Sequence, residues 1–318
     1  MKHLEAALNS KNAWWRYLVM IVAILIASNT IGSIPLLIPF FKALVSNPEV
    51  AQQLAKNPSD FSSLGVDPNY GLFMMLFPFV AALVAFALLV KPLHERTFKM
   101  TLTGSSSFRW NHFFISFITW IALSAVYLFA YMKVEPANFV LSNATISLLF
   151  ISLIALALIP FQAGLEEVVF RGYLMQGFAS ILRYRWFPLI MTSLLFGLMH
   201  AFNPEVKEFG FFTMMPQYVA FGLIFGIVAV MDDGIEASIG AHAANNIFLV
   251  IMVTHESSAL QTPALYEQKT IYPWTEFTGL VISGIVFIIL MKIIFRWKGF
   301  GRIFGSLDAL PGGSDRHN

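Results

Sequence analysis

Apolar residues in this chain come in long blocks, with polar residues gathered between them. Eight runs stand out: Tyr17–Phe41, Tyr70–Val90, Phe113–Tyr131, Ile146–Ala163, Phe187–Phe202, Met214–Met231, Ala237–Val253 and Phe277–Phe295. They are about 16–25 residues long, close to what a helix needs to cross a ~30 Å hydrocarbon layer. An unpaired backbone group in lipid costs several kcal/mol, so a span must be a helix or part of a closed barrel. The runs lack the two-residue alternation of a barrel strand. The pattern therefore predicts an all-α, polytopic membrane protein of about eight transmembrane helices. The first run is too long for the apolar part of a secretory signal and has no small-residue cleavage site close behind it. It is read as a span that stays in the protein.

Composition strengthens this reading. Of 318 residues, 57% are hydrophobic and 12% charged, and the mean hydropathy is +0.70. A soluble chain carries about twice that charged fraction. The net charge of +2 contains no basic block, which argues against a nucleic-acid partner. There is no cysteine, so disulfides, thiol chemistry and Cys-based zinc sites are excluded.

Loop charge predicts orientation. Lys2, Lys11 and Arg16 lie in the N-terminal segment, and Lys91, Arg96, Lys99 and Arg109 in the second connection. Arg183 and Arg185 lie in the fourth, and Arg296, Lys298 and Arg302 follow the last run. The alternate connections set Lys56 against Glu49, Asp60 and Asp67, Lys207 against Glu205 and Glu208, and Lys269 against Glu256 and Glu267. The positive-inside rule places both termini in the cytoplasm. The sixth connection, Asp232-Asp233-Gly234, is short and acidic and adds nothing to the bias. No internal repeat is evident, so an inverted-repeat transporter has no support. The polar tail Leu310–Asn318 is expected to be disordered. The loops Ser46–Pro68 and His255–Pro273 are long enough to cover the outer face. The chain divides into N-terminal spans (residues 1–145), a helical core (146–253), and an outer loop, last span and cytoplasmic tail (254–318).

Ionisable residues within or beside a span cost about 2.5–3.5 kcal/mol each on insertion scales and need a reason. Three groups stand out. In Glu166-Glu167-Val168-Val169-Phe170-Arg171, Glu167 and Arg171 share a helix face, while Glu166 is turned about 100° away. One carboxylate can pair with the arginine and leave the other free, though an interfacial salt bridge would look the same. His200 ends the fifth run, where a hydrogen-bonded structural histidine is the plainer alternative to a base or a ligand. His242 and Asn246 share one face of the seventh run, among Gly240, Ala241, Ala243 and Ala244, which let another helix approach closely. An interhelical hydrogen bond would also explain that pair. Polar residues in a membrane face the protein interior, so the groups are expected to converge. Together they provide a carboxylate and a histidine to activate water, and a histidine and an amide to bind an oxyanion. This is equipment for hydrolysing an amide bond.

The three motifs, Glu166-Glu167-x-x-x-Arg171, Phe196-x-x-x-His200 and His242-x-x-x-Asn246, resemble in order and separation the signatures of the CPBP family. That family comprises the CAAX prenyl endopeptidases of the second type and their bacterial bacteriocin-processing and self-immunity relatives. The resemblance covers about Ile146–Val253 and implies an intramembrane endopeptidase. Glu166 would be the catalytic carboxylate, acting with His200 on water. Glu167 and Arg171 would pair in support, and His242 and Asn246 would hold the oxyanion. The substrate would be a membrane-associated protein or peptide, with prenylation left open, and the expected location is a bacterial cell membrane.

Other readings use the same residues. A transporter would use the intramembrane Glu and His for proton or cation coupling. A haem protein would use His200 and His242 but leaves the acidic motif without a role. A catalytic zinc would take Glu166, His200 and His242. A neutral amide is a poor zinc ligand and a good oxyanion donor, so Asn246 favours hydrolysis without a bound metal or other cofactor. One tension remains. The drawn spans set Glu166 near the inner end of the fourth run and His200 near the outer end of the fifth, about 20 Å apart. Either the fourth span runs deeper, with Glu166 near mid-membrane, or the fifth is tilted or re-entrant.

Overall fold

The computed structural model describes residues 3–52, 64–142 and 145–307. Lys2, Lys56, Asp60 and the tail Leu310–Asn318 lie outside the described residues. The first apolar run folds as two helices, α1 (Trp14–Asn29) and α2 (Ile34–Ser46), bent by 45°. The break falls at Thr30–Ser33, where Gly32 presses on Pro78 so closely that any side chain there would collide with the proline backbone. The second and third runs become α3 (Pro68–His94) and α5 (Trp110–Val134), with the short α4 (Phe98–Leu102) between them. Asp67 caps α3 by accepting from the Asn69 amide at 2.8 Å.

The fourth run differs from its predicted limits. Helix α6 (Thr145–Glu167) passes without interruption through a π-helical segment, Val168–Leu174, into α7 (Met175–Ile181). The apolar stretch Leu148–Ile181 is 34 residues long. Glu166 is thus near its middle rather than past its end, which favours the deeper fourth span.

Helices α8 (Trp186–Met199), α9 (Pro204–Phe209), α10 (Phe211–Asp232), α11 (Glu236–Met252) and α12 (Pro273–Ile294) complete the bundle. All eight apolar runs are helical. Among the described residues, five helices are long and apolar enough to cross a membrane, or six if the bent α1–α2 pair counts as one. By the same measure α8, with 14 residues, is a shorter apolar helix. A small sheet interrupts the helices. Strand β3 (Tyr266–Gln268) lies between β1 (Phe139–Leu141), to which it is antiparallel, and β2 (Val253–Thr254), to which it is parallel.

Helix α11 is the packing centre, lying against both α5 and α6. Its glycine and alanines serve this closeness. A methyl group at Gly240 would collide with the Phe113 carbonyl of α5, and Ala241, Ala243 and Ala244 are fully buried. On the outside the long helices present large apolar residues, including Leu88 on α3, Ile118 on α5 and Ile293 on α12. Water would not tolerate so continuous an apolar surface, and lipid accommodates it.

Alternate connections gather at opposite ends. At one end His3 and Gly104 donate their amides to Asp233, Arg109 pairs with Glu236 at 2.6 Å and Asp232 at 3.0 Å, and Arg302 pairs with Asp233 at 2.9 Å. Arg185 pairs with Glu5 there at 2.5 Å. The acidic sixth connection therefore neutralises part of the basic layer formed by the two terminal segments and the second and fourth connections. At the opposite end the third, fifth and seventh connections meet. The Ala259 amide donates to Glu205, and Asn138 exchanges hydrogen bonds with Thr270.

Candidate functional site

The site is built on the middle of α6 and the facing side of α11. Glu167 and Arg171 are fully buried, and Nη1 of Arg171 donates to Oε1 of Glu167 at 2.8 Å. The other guanidinium nitrogen reaches the carbonyls of Phe221 and Gly222 at 3.4 and 3.3 Å, and the guanidinium lies over the Phe196 ring at 4.2 Å. His242 joins this pair from α11, with Nδ1 at 2.8 Å from the same Glu167 oxygen. One carboxylate thus holds a cation on one side and an imidazole on the other, which fixes the ring and turns Nε2 inward.

Glu166, one residue earlier, points elsewhere. Its Oε1 accepts from Nε2 of Gln162 at 2.5 Å, and its Oε2 is buried without a hydrogen-bond partner. That oxygen lies 3.7 Å from Nε2 of His242. The histidine beside Glu166 is therefore His242, whereas the family pattern sets His200 there.

His200 caps the end of α8 instead of lying within it. Its Nδ1 donates to the Phe196 carbonyl at 2.7 Å, which leaves Nε2 as an acceptor. Its ring stacks on Tyr218 at 4.5 Å and 18°. The Tyr218 hydroxyl in turn donates to Glu205 at 3.4 Å. Glu205 lies outside the spans, and burial pushes its carboxyl up from the usual range. Asn246 donates to Oε1 of Gln162 at 2.9 Å. Gln162 thereby couples Asn246 to Glu166, a link that sequence reasoning missed. The signal was present: Gln162 is one helical turn before Glu166 in an otherwise apolar run.

Glu166, His200, His242 and Asn246 all line one cavity of about 630 Å³, while Glu167 and Arg171 stand behind its wall. The cavity continues past Phe196, Trp120 and Phe221 toward the fifth and seventh connections, where Glu205 and Ser258 line it. Its size suits a peptide segment. The proposed zinc set fits poorly. Among the described residues no three His, Asp or Glu side chains converge as metal ligands.

Fold and site together define a multi-pass α-helical membrane protein with a buried Glu–His pair at the bottom of an aromatic-lined cavity. Residues 145–248, about a third of the chain, match the family model described as type II CAAX prenyl endopeptidase, Rce1-like. The matched segment contains Glu166, Glu167, Arg171, His200, His242, Asn246 and Gln162. The chain is also similar to the uncharacterized protein YyaK of Bacillus subtilis (strain 168). The two are 26% identical over 285 residues, covering 87% of this chain and 93% of that protein. No solved structure matches the chain.

Proposed function

We propose that this protein is an intramembrane endopeptidase that hydrolyses a peptide bond of a membrane-associated protein or peptide. The observation that carries the reading is Glu166: a buried carboxylate with an unpaired oxygen, beside an imidazole and open to a cavity of peptide size. Burying such a group without a partner is costly, and a catalytic base is one reason to do so.

In this mechanism Oε2 of Glu166 takes a proton from water as the water oxygen attacks the carbonyl carbon. Nε2 of His200 accepts the water's second hydrogen bond and orients it. The carbonyl π pair moves to oxygen. The second N–H of Asn246 and, in its doubly protonated form, Nε2 of His242 donate to that oxygen. Glu166 then returns its proton to the departing nitrogen, the C–N bond breaks, and a carboxylate and an amine remain.

Both termini are assigned to the cytoplasm, because the basic layer described above lies at their end of the molecule. The cavity opens among the opposite connections, so the substrate reaches Glu166 from the outer half of the membrane. The apolar lining accommodates a hydrophobic segment or a prenyl chain. Comparative proteomics of membranes carrying the native protein or Glu166→Gln is the test. An uncleaved precursor accumulating only in the variant is expected, and identical processing would overturn the reading.

A further inference from the structure

The cavity has a second polar pole that hydrolysis does not use. Glu276, in the first turn of α12, lines the same cavity as Glu166. Its Oε2 accepts from the Tyr127 hydroxyl at 2.9 Å and its Oε1 from Nε2 of Gln268 at 3.1 Å. Both carboxyl oxygens are engaged. Both donors are neutral, and among the described residues no lysine or arginine lines the cavity.

A structural clamp holding α12 to α5 and β3 would account for Tyr127 and Gln268. It does not account for Tyr131. That residue is 8% exposed, lines the same cavity, and has a buried hydroxyl near Asn138 and Glu276 that closes no well-formed hydrogen bond to either. A buried hydroxyl left unpaired is costly, and the Tyr131 ring lies 5.9 Å from that of Tyr127, whose hydroxyl meets the Glu276 carboxyl. A carboxylate, a free hydroxyl acceptor and aromatic faces are what an ammonium or guanidinium group requires.

We infer that Glu276, Tyr131 and Tyr127 form a subsite for a cationic group of the substrate, a lysine or arginine side chain or a free α-amine, set apart from the bond cut at Glu166. This rests on the endopeptidase reading for its substrate, and it adds a specificity to that reading. The wall of the subsite lies next to the loop that carries β3, so a charged group enters there while the neighbouring apolar residues fill the rest of the cavity.

The protein in lipid nanodiscs is offered a peptide library in free and N-acetylated forms, and cut sites are read by mass spectrometry. Lysine or arginine should be enriched about tenfold at one fixed distance from the cut, as for a charge-assisted hydrogen bond. Enrichment surviving acetylation identifies the side chain as the source, and enrichment lost with it identifies the α-amine. Glu276→Gln and Tyr131→Phe, checked for folding by size exclusion, should flatten the preference. A second arm needs no activity: octylammonium and octanol are titrated calorimetrically into each protein. A preference for octylammonium that disappears in Glu276→Gln supports the subsite even if no peptide is cut, in which case the protease reading alone fails. Equal octylammonium binding by the native protein and Glu276→Gln, or an unchanged cleavage preference, overturns the inference.

Discussion

The two adjacent glutamates should behave oppositely when each is changed to glutamine. Glu167 is fully buried, accepts from Arg171 at 2.8 Å and holds His242 at 2.8 Å. Glu167→Gln removes the carboxylate that, among the described residues, is hydrogen-bonded to a fully buried guanidinium. Breaking a buried pair from one side costs about 3–5 kcal/mol, because the remaining charge has no compensation. Against a typical total stability of about 5–15 kcal/mol, that is a third or more of the whole. Glu166→Gln lacks this penalty. Its Oε1 accepts one hydrogen bond, from Gln162, and its Oε2 makes none, lying 3.7 Å from Nε2 of His242, so the amide leaves no buried cation without its hydrogen-bonded partner. Reversible unfolding in mixed micelles is the assay, with hydrolysis measured alongside. Glu166→Gln should unfold at or above the native midpoint and be inactive. Glu167→Gln should lose several kcal/mol, and the double variant Glu167→Gln/Arg171→Met should regain part of that loss because both charges are gone. Equal stability of the two single variants, or a double variant that merely adds two losses, would refute the argument.

Asn246→Ala should lower kcat by about 10²–10³-fold with little change in KM, the signature of a lost oxyanion donor, as steady-state kinetics would record. Activity should survive exhaustive chelation. Stoichiometric zinc whose removal abolishes turnover and whose return restores it would show that the ligand geometry had been misread. Tags at the two termini should be reached only from the cytoplasmic side, and a terminus reached from outside would reverse the orientation of the cavity.

Much of the architecture was legible because lipid enforces it. The apolar runs are helical, the first as a bent pair, and Glu166, His200, His242 and Asn246 do line one cavity. The ends of the runs are less legible. The fourth run ends at Ala163 in hydropathy because two glutamates and an arginine follow it, yet those charges are buried among α6, α8, α10 and α11 and the helix continues to Ile181. The bend at Thr30–Ser33 was hidden for the opposite reason: every residue there is compatible with an apolar run, and the break comes from the contact with Pro78. Spacing did identify Glu167 as the partner of Arg171. It said nothing of His242 joining them, since contacts between α6 and α11 have no periodicity in the sequence. The small sheet of β1, β2 and β3 has strands of two or three residues, too short to leave an alternation.

The π-helical segment Val168–Leu174 sets a constraint on how this chain can vary. A π-turn behaves as an α-helix carrying an inserted residue, and it lies between two anchored parts. Above it, Glu166 and Glu167 are aimed at α11. Below it, Gln176 donates to the carbonyls of His3 and Met100 and accepts from Arg96 at 2.7 Å. Deleting a single residue within Val168–Leu174 would let the helix close into regular α geometry without losing its continuity. It would also rotate one anchored half about 100° relative to the other. The fourth helix therefore keeps a phase as well as a length. Substitutions along it are judged by packing, whereas a gain or loss of one residue is judged by whether the two glutamates still look across at His242 while Gln176 still meets the base of the molecule.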